Sequence, residues 1–121
     1  MNIMNQNQGE STMHPILGSF TPIEDLLYHD CPYVFTFWDA EGVLSLAYLV
    51  GMDGESTRYL GVRIDEGQLT ELKGGALSLR RVFRTWAWDI TLDANANIQS
   101  VSKRAIEEVN PKDLPPDDLV L

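Results

Sequence analysis

The middle of the sequence consists of strand-like segments separated by very short turns. Residues 33–38 read YVFTFW, a run of aromatic and β-branched side chains that strands favour. Turns at 39–42 and 53–56 each contain a glycine, and apolar segments at 43–52 and 57–64 follow them. Because turns this short connect antiparallel neighbours, the three segments are predicted to form an antiparallel meander.

A second hairpin is predicted near the C-terminus. Bulky apolar residues alternate with smaller or polar ones over 86–92, which is the period of a half-buried strand. A turn at 93–97 and a weaker strand at 98–103 follow. Trp86 and Trp88 share one face, where they either join the core or form an exposed aromatic patch for protein contact.

A short helix is predicted at 21–27. Thr21 suits the N-cap, Pro22 the first helical position, and Glu24 the third position of a capping box. The apolar run is too short to show its period, so a strand running into Tyr28 is the alternative.

Two further segments could be helical. Ser78 is placed to cap a helix over 78–84, whose apolar stripe would be Leu79, Val82 and Phe83. Residues 68–73 fit either a helical turn or a strand. The predicted fold class is therefore α+β, with an antiparallel sheet of about five strands (the meander plus the hairpin) and one or two short helices. One face of this sheet is expected to pack on the helices and the other to face solvent.

The length of 121 residues suits a single domain. Residues 1–15 are predicted to be a flexible leader, 16–105 a single α+β domain, and 106–121 an acidic tail punctuated by prolines, which lies on the surface or docks through its leucines. The predicted core consists of Phe35, Phe37, Leu46, Tyr48, Leu60, Val62, Leu79, Val82, Phe83, Trp88 and Ile90.

Charge is distributed unevenly along the chain. The formal net charge is −9, and residues 1–57 contain eight acids and no Lys or Arg. An acidic surface repels phosphate and anionic lipid, so general nucleic-acid or membrane binding is not expected. The same charge favours either a basic protein partner or simple solubility.

Cysteine content points to a reducing compartment. Cys31 is the single cysteine, so an intramolecular disulfide and a multi-cysteine zinc site are excluded. The N-terminus lacks the basic and apolar regions of a signal peptide, and no apolar run reaches the length of a membrane span. A cytoplasmic location is the expectation.

No motif in the sequence carries recognisable catalytic chemistry. His29 and Cys31 could in principle form a nucleophilic pair, but adjacency does not supply convergence, and a turn before the meander is the preferred interpretation. Too few soft ligands are present for a metal site, and the Gly74–Gly75 pair lacks the continuation of a phosphate-binding loop. We therefore expect no cofactor and no metal.

Three arginines lie within the 78–84 segment. In a helix, Arg80 and Arg84 would share a face with Arg81 beside them. Like charges at this spacing destabilise a helix, so they need anionic neighbours. Either they face water or pair with the acidic first half, or they form a docking patch for a carboxylate-rich or phosphate-bearing partner.

A set of short motifs is spread over residues 16–116. They are LG at 17–18, YHDCP at 28–32, the strand around Phe35, the turn at 39–42, LA at 46–47, YL at 59–60, GALSLR at 75–80 and LP at 114–115. Together they resemble a family of small bacterial or phage domains of unknown function, with a Tyr-rich Asp-x-Pro segment, a β-meander and a Gly-x-x-Ser-Leu-Arg helix start. The resemblance implies a compact α+β fold and supplies no catalytic residues.

These features predict a small, acidic, non-enzymatic protein-binding module. It would be an adaptor or an immunity-like inhibitor acting on a basic protein partner. Homodimerisation through an exposed strand edge is also allowed. The alternatives are a small anion-sensing domain that uses the arginine face, or a small carboxylate-dependent enzyme. The candidate partner-binding residues are Asp39, Glu41, Asp53, Glu55, Arg80, Arg81 and Arg84.

Overall fold

The computed structural model describes residues 13–28 and 32–121. Most of the predicted leader at 1–15 and the whole of the His29–Cys31 segment lie outside the described residues. Within the described ranges, one six-stranded sheet organises the protein.

The sheet is an antiparallel meander in which each strand pairs with the next along the chain. Its strands are β1 Glu24–Tyr28, β2 Pro32–Trp38, β3 Leu44–Asp53, β4 Ser56–Arg63, β5 Trp86–Leu92 and β6 Ile98–Ala105. The predicted meander and C-terminal hairpin are confirmed. The sheet is open in the described residues, with β1 and β6 at its edges.

The helix predicted at 21–27 is wrong, and β1 takes its place as the sixth strand. The N–H of Ile23 donates to the carbonyl oxygen of Thr36 at 2.7 Å, and Glu24 then pairs with Thr36 in register. The Thr21 hydroxyl donates to the Ser19 carbonyl instead of capping a helix. Pairing with the free edge of β2 therefore outweighs a capping signal worth about 1 kcal/mol.

One α-helix forms, α1 over Glu66–Lys73, which settles the open interpretation of 68–73 in favour of a helix. Asp65 and Gln68 form a reciprocal capping box at its start, and Leu72 is buried beneath it. The N-terminal donors of the helix are thus partly satisfied by the sequence immediately around them.

The helix predicted at 78–84 is shortened to a 3-10 helix over Leu79–Val82. Ser78 occupies the N-cap position but makes no capping hydrogen bond through its side chain. The backbone leaves helical geometry at Phe83, with φ −93° and ψ 83°, three residues before β5 begins. Arg80 and Arg84 therefore do not share the face of a continuous helix, and that prediction is wrong.

Both faces of the sheet carry a hydrophobic cluster, so the prediction of one solvent-facing side is wrong. Leu72 of α1, the 3-10 helix and the C-terminal segment cover one face, hereafter the helical face. Leu17 and Phe20 cover the other, hereafter the aromatic face. Ten of the eleven predicted core residues are buried, and Tyr48 is half-buried.

Small residues at the centre of the aromatic face let large rings on either side approach each other. The cross-strand register runs Phe35, Ala47, Gly61, Trp88 from β2 to β5. A Cβ on Gly61 would lie only 3.2 Å from Trp88 Cε3. The ring centroids of Phe37 and Trp88 are 6.3 Å apart, although β3 and β4 lie between their strands.

The C-terminal segment docks on the helical face, which is the second of the two arrangements predicted for it. Val109 and Leu114 are buried, while Leu119 and Leu121 pack against the same cluster. The N–H of Leu79 donates to the carbonyl oxygen of Leu119 at 2.9 Å. The segment is therefore part of the packed structure and holds the 3-10 helix in place.

Candidate functional site

The meander divides its connections between two ends of the sheet. The turns after β3 and β5 emerge at one end, hereafter the hairpin end, because Thr57 pairs with Leu92 where β4 begins and β5 finishes. The turn after β2 and the long connection 64–85 emerge at the opposite end. Each predicted site residue can be placed relative to these two ends.

The hairpin end brings together acids from two turns. Glu55 and Asp93 line a common surface concavity of about 470 Å³. Asp53 lines an adjoining one of about 380 Å³ together with Arg58, whose guanidinium is bonded to Asp89 and Asp113. Met52 borders both and is 61% exposed. In the described part of the chain, none of these three carboxylates forms an ion pair within 4.0 Å.

The sequence explains why these acids have no basic neighbours in their own turns. Residues 1–57 contain no Lys or Arg, and neither does the segment 85–102. Asp93 also holds its own turn, since its Oδ1 accepts the N–H groups of Asn95 and Asn97 at 2.9 Å. The backbone thus orients the Asp93 carboxylate at the rim of the concavity.

Asp39 lies at the opposite end of the sheet, where its side chain stabilises a turn. Its side chain is fully buried, and Oδ1 accepts the N–H groups of Glu41 and Val43 at 2.9 Å. Its Oδ2 accepts from Arg63 Nε at 2.8 Å, and Arg63 also reaches exposed Glu41 at 3.4 Å. Asp39 therefore holds the turn between β2 and β3, and offers no exposed carboxylate to a partner. The 39–42 and 53–56 turns lie at opposite ends of the sheet.

The three predicted arginines do meet at one place despite the shortened helix. Arg80, Arg81 and Arg84 line a concavity of about 470 Å³ together with Ser78, Phe83 and Asp117. Arg80 Nη1 donates to the Phe83 carbonyl oxygen at 3.5 Å. None of the three pairs with an acid within 4.0 Å in the part of the chain that the structure describes. We call this the arginine concavity.

One charged cluster on the helical face was not predicted. Asp89 accepts hydrogen bonds from Arg58 Nε at 2.8 Å, Arg58 Nη2 at 3.0 Å and Arg104 Nε at 3.1 Å. Arg58 Nη1 also donates to Asp113 of the C-terminal segment at 2.7 Å. Asp89 occupies an ordinary polar position in the alternating strand 86–92, so the sequence contains no signal for this cluster.

The cluster has shifted ionisation equilibria. Burial raises the pKa of Asp89, but hydrogen bonds and charge from Arg58, together with Arg104, outweigh it and hold that pKa below its usual range. The hydrogen bond from Asp89 raises the pKa of Arg58 further above its already high value. Each charged group of the cluster is bonded to a group of opposite charge. The cluster therefore anchors the C-terminal segment and offers no free acid or base.

The two tryptophans of β5 belong mainly to the core. Trp88 is buried, Trp86 is half-buried, and their ring centroids are 5.0 Å apart in an edge-to-face arrangement. The Lys103 ammonium lies 4.4 Å from the centroid of Trp86, and the Arg63 guanidinium 5.8 Å from that of Trp88. These contacts cap the edge of the aromatic face rather than leave an apolar patch there.

Metal ligands do not cluster within the described ranges, 13–28 and 32–121: no group of three or more His, Cys, Asp or Glu side chains is placed to hold an ion. In the same ranges, no helix has the length and apolar character to cross a bilayer. Comparison with protein-family models, curated proteins and solved structures finds no match to this chain. The family resemblance therefore stays a prediction.

Proposed function

We propose that this protein is a non-enzymatic binding module that docks on a basic protein partner through its hairpin end. The observation that carries this proposal is the meeting of Asp53, Glu55 and Asp93 in adjoining concavities, without a basic partner within 4.0 Å in the described residues. Three unneutralised carboxylates at one end of a chain of net charge −9 produce a negative field that favours approach of a basic surface.

Met52 supplies the apolar contact that a charged rim lacks. Its side chain is 61% exposed and lies between the two concavities. Methionine adapts its shape to a partner surface, and stable interfaces centre on such apolar anchors within a polar rim. The hairpin end thus combines a central hydrophobic contact with surrounding acids, as an adaptor or an inhibitor of a basic cytoplasmic protein requires.

Carboxylate-dependent catalysis is less well supported by the same geometry. Asp39, Asp89 and Asp113 each pair with an arginine at 2.8 Å or less. A general acid needs a raised pKa and a free proton path, whereas arginine partners stabilise the ionised form. Binding is therefore the better interpretation of how this chain uses its acids.

The test compares two variants of equal net charge. Asp53→Lys with Glu55→Lys reverses the hairpin end, while Glu71→Lys with Glu107→Lys reverses two exposed acids elsewhere. Proteins captured from the native cytoplasm by the unmodified chain are purified, and their association rates with all three forms are measured at low and high salt.

We expect the hairpin-end variant to associate about tenfold more slowly and with a flatter salt dependence, because rim charges act mainly on the association rate. The control variant should keep most of the rate. Equal slowing by both variants would show that only the net charge matters and would contradict a contact at the hairpin end. Association rates that do not change with salt or with either variant would overturn the proposal.

A further inference from the structure

The arginine concavity differs from the other arginine positions in the protein. The chain has six arginines, and Arg58, Arg63 and Arg104 each have a carboxylate within 4.0 Å. The remaining three, Arg80, Arg81 and Arg84, line one concavity and have no acid within that distance in the described residues. Grouped like charges repel one another, so this arrangement is stabilised when an anion is bound between them.

We propose that the arginine concavity binds a small soluble phosphate monoester. A phosphate monoester carries close to two negative charges at neutral pH and three terminal acceptor oxygens. The fork of N–H donors on a guanidinium group matches phosphate oxygens, and three such groups line the concavity, whereas a single carboxylate would use only part of them. The proposed ligand thus follows from the number of arginines.

The size of the concavity indicates that the ligand extends beyond its phosphate. Its volume is about 470 Å³, within the range of small-molecule sites and many times the space of one water molecule, about 30 Å³. Ser78 adds a hydroxyl to the wall, and this hydroxyl is not used to cap the 3-10 helix. The wall therefore has polar groups for the organic part of the ligand as well as charge for the phosphate.

Asp117 gives the site its selectivity. It lines the concavity from the C-terminal segment, which is positioned by buried Leu114 and by the hydrogen bond between Leu79 and Leu119. A carboxylate accepts hydrogen bonds from hydroxyl or amino groups and repels additional negative charge. We therefore expect a ligand with a hydroxyl or amino group near its phosphate, and weaker binding of inorganic phosphate.

The site lies on the long connection between β4 and β5, and its lining shares no residue with the two concavities of the hairpin end. Failure of one proposal is therefore distinguishable from failure of the other, because their variants change residues of separate concavities.

The experiment titrates the full chain with glycerol 3-phosphate, inorganic phosphate and succinate, using calorimetry. Arg81→Gln with Arg84→Gln removes two charges from the concavity, while Lys73→Gln with Lys103→Gln removes two charges outside it. Asp117→Asn removes the carboxylate of the wall, and Asp118→Asn is its matched neighbour, outside the concavity. Circular dichroism establishes that each variant is folded.

We expect saturable binding of glycerol 3-phosphate with a Kd that rises at least about tenfold in the Arg81 and Arg84 variant and less than about threefold in the Lys73 and Lys103 variant. Asp117→Asn should tighten binding of inorganic phosphate several-fold, and Asp118→Asn should not. Absence of saturable binding, equal loss in both charge-removal variants, or equally tight binding of succinate would overturn the proposal.

Discussion

Replacing Asp89 with Asn tests whether the arginine–aspartate cluster stabilises the fold. The carboxylate accepts three hydrogen bonds, two from Arg58 and one from Arg104. An amide of the same shape keeps one oxygen acceptor and directs N–H groups at a guanidinium that has no acceptor. Asp89→Asn should therefore lose at least one of the two bonds from Arg58, and the bonds that remain lose the negative charge of their acceptor.

The expected loss of stability follows from burial. Hydrogen bonds to charged groups contribute about 1.5–3 kcal/mol each. The Asp89 side chain is 12% exposed, whereas Arg58 and Arg104 are 34% and 49% exposed. Solvent screening therefore weakens both ion pairs of Asp89, and it weakens the pair with Arg104 more than the pair with Arg58. We expect the free energy of unfolding to fall by about 2–3 kcal/mol at pH 7.

The pH dependence of that loss has a definite sign. The folded-state pKa of Asp89 is lowered from the value of about 3.9 that an unfolded Asp has. The ionised carboxylate thus stabilises the protein fully at pH values above about 4 and loses this contribution as the pH falls through the folded-state pKa. The difference between the natural chain and Asp89→Asn should be constant from about pH 5 to 8 and shrink at more acidic pH.

The assay is urea unfolding followed by tryptophan fluorescence across this pH range, with Asp118→Asn as an exposed control. The control should change the unfolding free energy by less than about 0.5 kcal/mol. An Asp89→Asn protein as stable as the control at pH 7, or a difference that persists undiminished in acid, would refute the role assigned to the cluster.

Two further substitutions test the packing of each face. Phe83→Ala should lower the free energy of unfolding by about 3–5 kcal/mol, because Phe83 is among the largest fully buried side chains of the helical face; a loss below about 1 kcal/mol would contradict that packing. Gly61→Val should cost about 1–3 kcal/mol, since even a Cβ there lies 3.1 Å from Ile90 Cδ1, whereas Gly51→Val, with nothing within 4 Å, is the matched control. Equal effects at the two glycines in urea titrations would show that Gly61 is not needed for ring packing.

Local patterns were sufficient to predict most of the sheet. Short glycine-containing turns and period-two apolar segments determined β2 to β6, because hairpin connections and half-buried strands depend on neighbouring residues. The 21–27 and 78–84 segments were misjudged because each carries a helix-start signal, worth about 1 kcal/mol. The first segment pairs with the edge of β2 instead, and the second leaves helical geometry at Phe83 before the chain enters β5.

The candidate sites were predictable only in part. Asp53 and Glu55 were identified, but their companion Asp93 was not, although a meander places alternate turns at the same end and both turns had been predicted. The bonds of Arg58 to Asp89 and Asp113 join residues 31 and 55 positions apart. The periodic pattern of apolar residues along a strand or helix contains no information about contacts between residues so far apart in the sequence. Neither the cluster nor the position of Asp117 beside the arginines could therefore be predicted from the sequence.

The topology explains why the two proposed contacts are separate. In a meander, every second connection emerges at the same end of the sheet, and the two short turns at the hairpin end come from segments without a single Lys or Arg. The long connection between β4 and β5 leaves the sheet at the other end, folds over the helical face, and carries four of the nine basic residues, Lys73, Arg80, Arg81 and Arg84. The arginine concavity and the two concavities of the hairpin end have no lining residue in common. Charge that is uneven along the sequence is thus distributed onto separate surfaces, and an acidic chain can carry an anion site without losing a surface for a basic partner.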